Sequence, residues 1–219
     1  MSEHSVERVA ATILVLITDS ASCRLVRGQL AFLHACGFRV HLGTAVAGGS
    51  SPSPENWHRL RSALDDGVVP HHIPFVRQPS PLRDVRSLVS TIALIRRIRP
   101  DLIAVSTPKA GLIGMVAAWI CRVPVRVYTV RGFRFETMVG RRRRFFVLVE
   151  KLTIRLAHRV LFNSASLRKV AEQHHLIAPG YGLLLGSGSG NGVDVERFTT
   201  ENLPSPNEAR ARLGLPSMP

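Results

Sequence analysis

Along the chain, aliphatic runs of strand length alternate with segments whose apolar residues recur at helical spacing. Ala11 to Thr18 is one unbroken run, ATILVLIT, as expected of a strand covered on both faces. Leu25 to Cys36 reads as a helix closed by Gly37, a residue that accepts the left-handed conformation at a helix end. Arg39 to Thr44 is a second strand, Ala47 to Pro54 a loop, Glu55 to Asp65 a short polar helix and Val68 to Ile73 a third strand. From Leu82 the spacing Val85, Leu88, Val89, Ile92, Ile95 draws one apolar stripe on a helix that must stop before Pro100. Asp101 to Ser106 follows as a buried strand, Gly111 to Cys121 as a helix apolar nearly all round, and Val125 to Val130 as another strand. A long helix over Arg142 to Ala157, a strand over Arg159 to Asn163, a helix over Ser166 to His175 and a last strand over Gly182 to Leu185 complete the series. The alternation predicts an α/β fold built on a doubly wound, mainly parallel sheet.

Beyond Leu185 the chain turns to GSGSGNGVDVERF and then to a short helix capped near Ser205. We therefore expect one domain over residues 1–185 and a connecting segment over 186–219, with no further packed unit before Pro219. With 219 residues, 45% of them hydrophobic and 20% charged, the chain has enough apolar surface for a core, which excludes wholesale disorder. The longest apolar stretch, Ala110 to Cys121, falls short of the ~20 residues a bilayer-crossing helix needs. The N-terminus lacks the pattern of a secretion signal, so a cytoplasmic location is expected. Three scattered cysteines, Cys23, Cys36 and Cys121, form no Cys-x-x-Cys pair, and the adjacent pairs His71-His72 and His174-His175 aim successive side chains apart. Neither a metal nor a cofactor is expected.

Charge changes the picture. The formal net charge is +14, and between Arg122 and Lys169 stand 13 basic residues against two acids, Glu136 and Glu150. That segment wants an anionic partner: nucleic acid, an anionic membrane or a phosphorylated substrate. It carries no nucleic-acid reading motif and few stacking aromatics, which argues against the first.

In a doubly wound sheet the ligand lies at the carboxyl ends of the strands. No Gly-x-Gly-x-x-Gly follows the first strand, only Asp19-Ser20-Ala21-Ser22 and Arg27-Gly28-Gln29, so a dinucleotide site of the usual kind is not expected. After the fourth strand Ser106, Thr107, Lys109 and Gly111 bring hydroxyls, an ammonium and a helix start together, a set suited to a phosphate. The same residues also read as a proline-led helix start with a solvated lysine. After the fifth strand come Arg131, Gly132, Arg134 and Glu136, either a polar-substrate contact or a salt-bridged loop. No catalytic residue is assigned. The run Arg141, Arg142, Arg143, Arg144 opposes the macrodipole at a helix start, and Arg144, Lys151 and Arg155 edge an apolar stripe of Phe145, Leu148, Val149, Leu152 and Leu156. These basic residues are read as facing an anionic membrane.

Three segments carry a resemblance: TPKAGLIGMVAAWICRVPVRVYTVRGFRFE (Thr107 to Glu136), EKLTIRLAHRVLFNSASLRKVA (Glu150 to Ala171) and LGSGSGNGVDVERF (Leu185 to Phe198). Together they resemble the N-terminal, acceptor-side half of bacterial GT-B glycosyltransferases of retaining family four, the CapM and PglA kind. The resemblance runs from about Thr12 to Leu215. It implies a Rossmann-like domain that holds a lipid-linked glycan acceptor at the inner face of the cell membrane. A nucleotide-sugar donor, a substrate rather than a cofactor, would be bound mainly by a second lobe, with the sugar transferred with retention. Lys109 and Gly111 would line the cleft. Arg131 stands where many relatives have histidine, and since arginine does not titrate near neutral pH it would stabilise charge rather than move a proton. The chain is expected to end within the interdomain connection and to be inactive alone. The alternative is a membrane-docking acceptor subunit served by a separate donor-binding protein.

Overall fold

The computed structural model describes residues 10–26, 28–46, 52–64, 67–188 and 203–216. Arg27, Ala47 to Ser51, Asp65 and the stretch from Asn191 to Phe198 lie outside the described residues. Seven strands form one sheet: β1 (Thr12–Asp19), β2 (Arg39–Ala45), β3 (Val68–His72), β4 (Leu102–Ser106), β5 (Val125–Val130), β6 (Arg159–Phe162) and β7 (Leu183–Leu184). Their order is β3-β2-β1-β4-β5-β6-β7 and every pairing is parallel. The expected doubly wound α/β sheet is present, with its reversal between β1 and β4.

Alternation along β1 shows how one aliphatic run serves two cores. Ile13, Val15 and Ile17 pack with Leu30 and Leu60, while Leu14 and Leu16 pack with Ile113 and Met115 on the other face. The first face is covered by α1 (Gln29–Ala35) and α2 (Pro54–Ser62). The second is covered by α3 (Pro81–Ile98), α4 (Pro108–Ile120), α5 (Gly140–Leu156) and α6 (Ala165–Gln173). Each fully buried aliphatic side chain contributes roughly 1.5–3 kcal/mol. A last helix, α7 (Pro206–Arg212), starts at Ser205, whose Oγ accepts from the Glu208 amide while Glu208 reaches back to the Ser205 amide.

Two helix boundaries differ from the sequence reading. The predicted Leu25–Cys36 helix is two pieces, a 3-10 turn over Ser20–Val26 and then α1, because Gly28 has φ 77 and breaks the helical run. Helix α4 starts at Pro108, three residues before the expected Gly111, since proline is well placed in a first turn that needs no amide. On α5 the inward face is Glu150, Thr153 and Ile154, while Phe145, Leu148 and Leu152 of the apolar stripe are exposed beside its basic edge.

Candidate functional site at the carboxyl edge

Strand β1 leaves the sheet toward the α1 face and β4 leaves toward the α4 face, so a crevice opens between their ends. The hydroxyls of Thr18 and Thr107 share a 2.7 Å hydrogen bond across it. Thr107 is held at φ 78, ψ 139, a backbone conformation normally left to glycine and worth roughly 1–3 kcal/mol of strain. Beside it Ser106 is 4% exposed, and its Oγ has no hydrogen-bond partner among the described residues. Strain and an unsatisfied hydroxyl meet at one strand tip, the pattern of a site shaped for something other than stability.

Lys109 is engaged. Its Nζ lies 2.6 Å from Asp84 Oδ1 and also donates to the Gln78 carbonyl, so it ties the start of α4 to the start of α3. Asp84 in turn accepts from the Ser80 amide at 3.1 Å. Gly111 does not line the crevice. It faces the core, where an added Cβ would stand 2.9 Å from Tyr128 Cε2.

The ends of β4 and β5 are neighbours, with Ser106 paired to Thr129, so Arg131 and Gly132 leave the sheet beside the Ser106–Thr107 tip. Arg131 is half-buried, and desolvation pulls its pKa below the usual guanidinium value. The following 3-10 turn, Arg134–Thr137, is anchored by buried Phe133 and Phe135, stacked with ring centroids 4.9 Å apart. Glu136 is exposed and accepts from the Phe133 amide at 3.3 Å, a local cap on its own turn.

Nothing in the sequence signalled Arg77, or how it ties Asp19 to Arg134 along the rim. Asp19 closes β1, and its Oδ1 accepts from the amide and hydroxyl of Ser22, each at 3.1 Å. Its Oδ2 accepts from Arg77 Nε at 3.0 Å. Arg134 donates to the Arg77 carbonyl at 3.4 Å and sits 5.0 Å over the Phe146 ring. These partners are 57 and 58 positions apart, beyond what periodicity reports.

Of the basic run, Arg141, Arg142, Arg143 and Arg144 are all exposed, as are Lys151 and Arg155. Arg143 lies 3.1 Å from His174 Nε2. Far from this edge, His41 Nδ1 and His71 Nε2 are 2.8 Å apart, and Arg97 lies 3.1 Å from His71 Nδ1. Burial first, then His41 and Arg97, push His71 down to about 4, so both rings are neutral at pH 7. Among the described residues, no cluster of three or more His, Cys, Asp or Glu side chains could hold a metal, and no helix is long and apolar enough to cross a membrane.

The profile of the glycosyl transferase 4-like domain matches residues 24–180. The capsular polysaccharide biosynthesis glycosyltransferase CapM of Staphylococcus aureus is 35% identical over 187 residues, 85% of this chain and 46% of CapM. The UDP-Gal:alpha-D-GlcNAc-diphosphoundecaprenol alpha-1,3-galactosyltransferase of Escherichia coli is 35% identical over 79 residues, 36% of this chain and 20% of that protein. A glycosyltransferase from Rickettsia africae ESF-5 superposes with a TM-score of 0.62 at 12% identity, over 95% of this chain and 50% of that one. The chain thus spans about half the length of CapM and of the Rickettsia africae glycosyltransferase. Since the profile covers most of it, the chain belongs to the glycosyl transferase 4-like domain family, and its seven-stranded parallel sheet is the Rossmann-like fold of GT-B glycosyltransferases.

Proposed function

We propose that this chain is the acceptor-side domain of a retaining glycosyltransferase acting on a lipid-linked glycan at the inner face of the cell membrane. The observation that carries the reading is the continuity of 131–156. One stretch of chain supplies the half-buried Arg131 at the strand exit and then, without a break in the fold, the exposed basic helix α5. An acceptor whose lipid stays in the bilayer beside α5 would present its diphosphate near that exit. There a guanidinium and the Ser106–Thr107 tip offer donors to its oxygens. In the transfer the bond between the sugar and the donor diphosphate breaks, a bond to the acceptor hydroxyl forms, and the hydroxyl proton is released. The donor is bound mainly by a second lobe, of the kind the length of the relatives leaves room for. The relative from Escherichia coli, named for a diphosphoundecaprenol-linked acceptor, supports the acceptor class.

The test is co-sedimentation of the purified chain with anionic vesicles, with and without a diphosphoundecaprenol-linked sugar. Binding should strengthen when the sugar lipid is present, and Arg131→Ala should remove that increment while leaving binding to plain anionic vesicles. No increment for the unaltered chain would sink the acceptor assignment. Turnover of a nucleotide-sugar by the purified chain on its own would count against giving it the acceptor side alone.

A further inference from the structure

Helices α3, α4 and α5 lie side by side on one face of the sheet, α3 packed on α4 and α4 on α5. The outward ridge of each is apolar where a solvated helix would be polar. On α3, Leu82, Val85 and Val89 are between 59% and 87% exposed. On α5, Phe145, Leu148 and Leu152 repeat the same i, i+3, i+7 spacing and are between 44% and 65% exposed. Between them α4 presents Trp119, 58% exposed. The charges interleaved with these stripes share one sign: Arg83, Arg86 and Arg96 on α3, and Arg141, Arg144, Lys151 and Arg155 on α5, all exposed. The two carboxylates on these helices are withdrawn from the ridges, Asp84 to Lys109 and Glu150 to the core.

We propose that the whole outward face of α3, α4 and α5 docks on an anionic bilayer, so that the domain lies flat with its sheet roughly parallel to the membrane. The proposal rests on the membrane reading above and extends it from one helix to a three-helix face. Two exposed apolar ridges flanking an apolar helix, and rimmed by cations, match what a headgroup layer offers, acyl carbon below and phosphate charge at its surface. An exposed tryptophan at the C-terminal end of the middle helix is the side chain that such an interface favours. A second copy of the chain fits poorly, because a two-fold contact through this face would set arginines against arginines. Flat docking also orients the site. The carboxyl edge, with Ser106, Thr107 and Arg131, then opens sideways at headgroup level, where a lipid-linked diphosphate lies, instead of pointing away from the bilayer.

The chain has two tryptophans, and Trp57 belongs to α2 on the opposite face, so Trp57→Phe leaves Trp119 as the single reporter. With vesicles of phosphatidylcholine plus phosphatidylglycerol, Trp119 emission should shift to shorter wavelength and lose access to an aqueous quencher. Phosphatidylcholine alone should do neither. The exposed pair Val85→Asp/Val89→Asp on α3 should weaken partitioning by about tenfold or more with an unchanged far-UV spectrum, as should Leu148→Asp on α5. If Leu148→Asp abolishes binding while the α3 pair and Trp119 respond to nothing, α5 docks alone and flat docking is overturned. If the unaltered chain ignores both vesicle types, the membrane reading itself falls. A Trp119 shift that tracks protein concentration without lipid would assign the face to a second copy, and one produced by an acidic protein and not by lipid would assign it to that class.

Discussion

Glu150 is the residue whose environment departs furthest from its chemistry. It is 2% exposed beneath α5 and accepts from Tyr128 Oη at 2.9 Å. Burial raises its carboxyl to about 7, against the opposing pull of the Tyr128 hydrogen bond, while burial and Glu150 together hold the tyrosine hydroxyl well above its ordinary value. A raised carboxyl pKa means that the folded protein keeps a proton which the unfolded chain has already released. The contribution of Glu150 to stability therefore falls as pH rises from about 4.5 to about 7 and is flat outside that window, whereas His71, pushed down to about 4, works the other way. The full effect is on the order of 3 kcal/mol. Glu150→Gln keeps an oxygen to accept from Tyr128 and removes the titration. Urea unfolding should find it more stable than the parent at pH 8 and nearly level with it at pH 4. Equal loss of stability between those pH values in both proteins would show that Glu150 is not the group responsible.

At the scale of elements, close packing of α4 on the sheet depends on small residues. A Cβ at Gly114 would stand 2.7 Å from Val105 Cγ1 and 2.8 Å from Leu16 Cδ1. Alanine helps a helix by up to ~1 kcal/mol over glycine, but Val105 is β-branched and 1% exposed, so it has little room to yield. Overpacking wins, and Gly114→Ala should lower stability by about 1–2 kcal/mol, read as a drop in Tm. An unchanged or higher Tm would mean that the helix can lift from the sheet at little cost. Packing of this kind is why the strands were legible in the sequence. A run such as ATILVLIT has one sensible fate, and β1, β2, β4, β5 and β6 all lie within a residue of their predicted bounds. Helix α5 was legible as a helix with an apolar stripe edged by cations. That its inward face carries Glu150 was not, because periodicity does not send an acid into a core. Predicted site positions at the tips of β4 and β5 did come together, because parallel register alone puts them side by side. Which of them are engaged was not legible, since the partner of Lys109 is 25 positions away on another helix.

For the molecule as a whole, the carboxyl edge is held together by the connector between β3 and α3. Through Arg77 it reaches Asp19 at the end of β1, through the Gln78 carbonyl it reaches Lys109 at the start of α4, and through the Arg77 carbonyl it receives Arg134 from beyond β5. One connector thus spans three strand exits, and the two ion pairs at this edge, Arg77–Asp19 on the connector and Lys109–Asp84 on α3, differ in burial. The Arg77 side chain is 75% exposed, so its pair with Asp19 is screened and worth about 0–1 kcal/mol. The Lys109 side chain is 12% exposed and its partner 29%, and removing the ammonium leaves a half-buried carboxylate without its counter-charge. Lys109→Met should therefore cost about 1–3 kcal/mol of global stability, whereas Arg77→Ala should leave the unfolding midpoint nearly unchanged. What Arg77→Ala should change is local. Amide exchange in Ser20–Val26 and Arg134–Thr137 should quicken while the strands stay protected, because the tie across the rim is lost and the core beneath it is not. If instead both variants unfold at the parent midpoint and exchange alike at the rim, the connector holds nothing. Lys109 would then again be best read as a cation available to ligand.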